Sequence, residues 1–167
     1  MDRATKKTAL KKLRLSNPWH FLALGFGSGL APFMPGTFGT LAALPFVFLL
    51  PLLPVSGQVA LVLAVSLIGI YICEVASRDM GVHDHSAIVW DEVAGMMITM
   101  IAVPLSITNL AVGFLVFRLF DILKPWPISY FDRQVHGGLG IMLDDIIAGV
   151  LSLLTMQALL HYGLLTV

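Results

Sequence analysis

The chain has 167 residues and no formal net charge; hydrophobic residues make up 57% of it and Asp, Glu, Lys and Arg only 12%. A typical soluble domain has about 45–50% and about 25%. No charged side chain lies between Arg14 and Glu74, and residues 93–117 and 146–167 are two further uncharged stretches. A bilayer core needs about 20 largely apolar residues per crossing helix, so these runs mark an integral membrane protein and exclude a soluble one.

The N-terminal stretch carries six of the ten bases: Arg3, Lys6, Lys7, Lys11, Lys12 and Arg14. Ser16-Asn17-Pro18-Trp19-His20 and a glycine-rich run follow it, without the apolar core and cleavage site of a secretory signal. Leucines three apart among lysines in Ala9–Arg14 predict a short helix on an anionic leaflet. The positive charge places this end in the cytoplasm. Residues 1–20 thus form a basic interfacial segment, and 21–167 a single membrane-embedded domain.

Residues 21–31, broken by Gly25, Gly27 and Gly29, predict a weak or re-entrant helix. Thr37 is placed to cap a helix to about Leu53, kinked at Pro45. Further spans are expected over Val59–Ala76, Asp91–Val103, Asn109–Leu123 and Asp145–Leu165. The fold class is therefore all-α, a membrane helical bundle with about three to five embedded helices. Cys73 sits alone in an apolar run and reads as packing. The basic stretch is short and lacks an aromatic platform, so nucleic acid is not an expected partner. A homo-oligomer is compatible with the sequence.

Two polar segments, 77–92 and 124–145, interrupt the apolar runs. If 21–31 does not cross, an even number of crossings returns both to the cytoplasmic side of the N-terminus. The first contains His83, Asp84, His85, Asp91 and Glu92. Asp91-Glu92 opens an apolar helix, where acids suit the macrodipole; capping alone would leave Asp84 unexplained. His83-x-His85 has the spacing of a zinc pair, but acids outnumber imidazoles and no Cys supports it. Arg118, Asp121 and Lys124 recur at intervals of three, on adjoining faces of one helix. Charges in a span pair or line a polar cavity. His136-Gly137-Gly138-x-Gly140 then leads to Asp144-Asp145, where glycines would let backbone amides approach an anion.

Five or six carboxylates thus converge from three helices with too few bases to neutralise them. Crowded like charges destabilise one another's ionised form, and a divalent cation relieves this. Oxygen donors select a hard ion such as Mg²⁺. Arg118, Lys124 and Arg133 suit a phosphate. The residues alone therefore predict Mg²⁺-dependent phosphoryl chemistry on a membrane-resident substrate. The alternative is a small transporter or proton-relay subunit using the intramembrane acids. A non-catalytic subunit packed through Gly25-x-x-x-Gly29 is a further one.

The chain resembles the phosphatidylglycerophosphatase A family of bacterial inner membranes. The likeness runs through Ser16–His20, Gly25–Leu30, Pro35-Gly36-Thr37, Asp79–His85, Ile88–Glu92, Phe117–Asp121, Lys124–Ile128, Phe131-Asp132-Arg133, Val135–Gly138 and Asp144–Gly149. It implies hydrolysis of the terminal monoester of phosphatidylglycerophosphate in the cytoplasmic leaflet, with Mg²⁺, at a site facing the cytoplasm. Carried over by motif are Asp84, Asp91, Glu92, Asp121, Asp144 and Asp145 as acids, with Lys124 catalytic and Arg118 on the phosphate. Arg133, His136 and Thr37 complete the expected substrate contacts. Attack by a metal-activated water or by an aspartate nucleophile both remain open.

Overall fold

The computed structural model describes residues 8–82 and 85–165 and is all-helical, with no strand among them. Asn17 caps α1 (Pro18–Ala23) by accepting from the Trp19 amide at 3.0 Å, with Pro18 at the first helical position. A 3₁₀ turn over Gly25–Leu30 follows, in which Phe26 and Gly27 take positive φ. The glycine-rich run is thus an irregular helical turn, in line with the weak helix expected from its glycines.

The next apolar stretch is broken more than predicted. It consists of α2 (Pro35–Ala42), α3 (Leu44–Val47) and a 3₁₀ turn at Leu50–Leu52. Together they have the length and apolarity of one crossing. The helix begins at Pro35, with Met34 in a left-handed conformation before it. Thr37 therefore lies inside the first turn and is not the cap. Pro45 and Pro51 lack the amide that would continue a helix.

Helix α4 (Val55–Met80) is longer than the predicted 59–76 and ends at Gly81, whose φ of 69° closes the last turn onto Ser77 and Arg78. α5 (Trp90–Thr99) spans about 15 Å, half a bilayer core, so it cannot cross alone. Every residue from Val93 to Thr99 is buried. α6 (Ile107–Leu123) starts at Ser106, which accepts from the Asn109 amide at 3.1 Å. Helix α7 (Ile128–Gln134) follows a cis Trp126–Pro127 bond. Finally α8 (Gly137–His161) begins eight residues earlier than predicted. Among the described residues, three segments are long and apolar enough to cross a membrane: Pro35–Leu52, α4 and α8.

Helix α5 is the centre of the bundle and packs most extensively on α8, with α2, α4 and α6 around it. Lipid is as apolar as the side chains, so close backbone approach at small residues holds such helices together. A Cβ on Gly95 would collide with the Phe117 ring and lie 2.9 Å from the Asp145 carbonyl oxygen, and one on Gly149 would lie 2.7 Å from the Gly95 carbonyl oxygen. The Gly25-x-x-x-Gly29 stripe is likewise used within the chain. It packs against Val89 and the Ala87 carbonyl, which a Cβ on Gly29 would overlap.

Of the helix expected over Ala9–Arg14, Ala9 and Leu10 are helical and the chain leaves the helix before Arg14. The segment is fastened to the end of α4, where the Lys12 ammonium donates to the Met80 carbonyl at 2.9 Å. His20 completes the join. Its Nδ1 accepts from the Arg14 amide, so Nε2 carries the proton donated to Asp79 at 2.9 Å.

Candidate active site

Asp91 and Glu92 occupy the first turn of α5, preceded by Val89 at the cap position. They are thus helical residues and not caps. Asp145 lies two turns inside α8, so it is not a cap either. The convergence follows from the glycine contact. Gly95 is four residues after Asp91 and Gly149 four after Asp145, so each glycine shares a helical face with its acid. Where the two backbones meet at Gly95 and Gly149, the acids one turn away meet as well. One ligand atom from each of Asp91, Glu92 and Asp145 lies within 4.8 Å of the others.

Two further helices close the cluster. Asp121 on α6 is in side-chain hydrogen-bonding reach of Asp145. It also takes an ion pair from Arg118 Nη1 at 2.5 Å, while the same nitrogen stands 3.8 Å from Glu92 Oε1. From α2, the Thr40 hydroxyl accepts weakly from Arg118 at 3.5 Å and donates to the Gly36 carbonyl at 2.9 Å. A Cβ on Gly36 would collide with the Glu92 carboxylate and press on the Arg118 guanidinium. Close contact therefore fixes glycine at Gly36, and Thr40, not Thr37, is the threonine that Arg118 reaches. Nothing in the sequence pattern distinguished the two.

Lys124 ends α6 in a left-handed conformation, φ 42°. Only about a few per cent of non-glycine residues have positive φ. The ammonium donates to Asp132 and to Asp144, each at 2.6 Å. Burial alone would lower its pKa, but the charge of Asp144 and the hydrogen bonds and charge of the two acids outweigh that and raise it above the ordinary lysine range. Lys124 is therefore a permanent cation bridging α7 and α8. Asp132 was not singled out from sequence as a site residue; its eight-residue distance from Lys124 carries no helical signal across the Pro125-Trp126-Pro127 break.

Two cavities meet at this centre. One, of about 360 Å³, is lined by Gly36, Glu92, Arg118, Asp121, Lys124 and Asp145, among others. The second, of about 450 Å³, includes Asp132, Arg133 and His136, and shares Asp91 and Asp144 with the first. Among the glycines after His136, Gly138 has its amide engaged within the chain. The Gly138 amide donates to Glu74 at 2.6 Å, and Gly138 and Gly140 lie against the Ile70 and Val135 carbonyls. Asp84 and His83 lie outside the described residues. His85 is buried, with Nδ1 accepting from the Ala87 amide. Cys73 is buried packing, as expected.

The donors fit a hard divalent ion. All three clustered groups are carboxylates, and Glu92 Oε2 and Asp145 Oδ2 are buried without a hydrogen-bond partner among the described residues. Buried acceptors of this kind are costly unless something satisfies them.

An all-helical bundle with membrane-length segments and a carboxylate cluster beside Arg118 and Lys124 has the make-up of an integral membrane protein with a charged site. The profile of one family, Phosphatidylglycerophosphatase A, matches residues 21–160. The phosphatidylglycerophosphatase A of Escherichia coli K12 is 54% identical over 151 residues, covering 88% of this chain and 86% of its own. That of Haemophilus influenzae Rd is 45% identical over 162 residues, covering 96% and 99%. The chain belongs to the phosphatidylglycerophosphatase A family and is a phosphatase. No solved structure matches it significantly.

Proposed function

We propose that the protein hydrolyses the terminal phosphate monoester of phosphatidylglycerophosphate, releasing phosphatidylglycerol and inorganic phosphate, with Mg²⁺ held by Asp91, Glu92 and Asp145. The observation that carries this reading is the meeting of three carboxylates from α5 and α8 beside Arg118 in one cleft. Asp121 and Asp144 stand next to them and complete the acidic wall.

A bound Mg²⁺ would neutralise the acids, engage phosphate oxygens and make a water more acidic. The protein's own groups do the rest. Arg118, already fixed by Asp121 and Thr40, holds its fork toward the cleft for the non-bridging oxygens. Lys124, the bridge between α7 and α8, keeps Asp144 in place while lining the same cleft. His136, at the start of α8 on the adjoining cavity, would hand a proton to the departing glycerol oxygen. The cleft also admits a lipid, because its lining includes Met34 and Ile122, which are 60% and 63% exposed. An apolar mouth on a charged cleft suits a headgroup whose acyl chains stay in the bilayer.

This reading places the protein in the bacterial inner membrane with the cleft toward the cytoplasmic leaflet, in keeping with the basic N-terminal residues. Purified protein in detergent, given phosphatidylglycerophosphate, should release one phosphate per lipid and leave phosphatidylglycerol. Failure to release phosphate from this lipid, with folded protein, would refute the assignment.

A further inference from the structure

The second cavity is larger than the acid cleft and shares Asp91 and Asp144 with it as lining. Its carboxylates are engaged elsewhere: Asp132 and Asp144 are held by Lys124, and Asp91 belongs to the clustered acids. Arg133, from the last turn of α7, is its one lining Lys or Arg among the described residues, standing beside His136, and no ion pair to Arg133 occurs among those residues. Val135 and Ile141 add apolar wall.

We propose that this cavity is the site for the inner phosphodiester of the substrate, and that Arg133 is its specificity-determining residue. The inference rests on the functional reading above. A headgroup with its terminal monoester beside Arg118 must continue, three carbons on, into a neighbouring space, and the shared Asp91–Asp144 wall supplies one. A diester carries one negative charge on two non-bridging oxygens. A single guanidinium matches that charge and can bind both oxygens in a fork. Lipids whose monoester is attached directly to diacylglycerol have no second phosphate to place there. The enzyme would therefore distinguish phosphatidylglycerophosphate from phosphatidic acid through Arg133.

The test compares wild type with Arg133→Ala and Arg133→Lys in mixed micelles. KM for phosphatidylglycerophosphate is measured, with inhibition constants for phosphatidylglycerol and inorganic phosphate. Arg133→Ala should raise KM and the phosphatidylglycerol constant together by roughly ten- to a hundredfold, the range of a charge-assisted hydrogen bond. Its kcat and the inorganic phosphate constant should stay close to wild type, since lost uniform binding appears in KM. Arg133→Lys should recover part of the loss. A matching rise in the inorganic phosphate constant would overturn the proposal by assigning Arg133 to the scissile group. Unchanged constants for both ligands would overturn it too. A wild type inactive on phosphatidylglycerophosphate would instead refute the functional reading and this inference with it.

Discussion

Lys124 is the residue at which sequence and structure part most usefully. Its spacing from Arg118 and Asp121 predicts a point charge for the phosphate, but its ammonium already holds Asp132 and Asp144. A residue that binds two carboxylates from a left-handed backbone position is built to position them. Lys124→Ala should therefore raise the Mg²⁺ concentration needed for half-maximal activity, and Asp132→Asn should do the same more weakly. Loss of efficiency with an unchanged Mg²⁺ requirement would return Lys124 to the phosphate. For the clustered acids the expectation is simpler. Asp91→Asn, Asp121→Asn and Asp145→Asn should each abolish turnover while the protein still accumulates in the membrane. Asn keeps the size and shape of Asp and removes only its charge, so a merely packing role would leave these variants active.

Among the elements, the α5–α8 crossing decides whether a site exists. Gly95→Ala places a methyl group against the Phe117 ring and the α8 backbone. Overpacking of this kind costs about 1–3 kcal/mol, read as a lowered midpoint of thermal unfolding in detergent. Activity should fall further than stability, because separating the helices separates Asp91 and Glu92 from Asp145. An unaltered midpoint and activity would mean that the close contact is not needed. The sequence carried a usable signal here, a glycine four residues after an acid on each of two helices. Charge-free runs likewise located α4 and α6, although α4 extends four residues beyond the expected 59–76 at each end and is closed by Gly81. The start of α8 was misplaced because glycines at 137, 138 and 140 read as loop. In the bundle they are the residues that let α8 lie against Ile70 and Val135. Which threonine meets Arg118, and that Asp132 meets Lys124, depend on how α2 and α7 dock, and no periodicity records that.

At the scale of the whole molecule, three membrane-length segments surround a half-length buried helix whose first turn carries two of the acids. The basic N-terminal segment is tied to the end of α4 through Lys12 and the His20–Asp79 pair. The acids in the cleft have, in turn, too few cations to balance them, and that imbalance is the basis of the central claim. The most direct measurement is phosphate release from phosphatidylglycerophosphate by purified wild type, first with excess EDTA and then with Mg²⁺ restored, beside Asp145→Asn. The account predicts loss of release on chelation, full recovery with Mg²⁺ in the wild type, and none in the variant. Release that continues undiminished under complete chelation would contradict it.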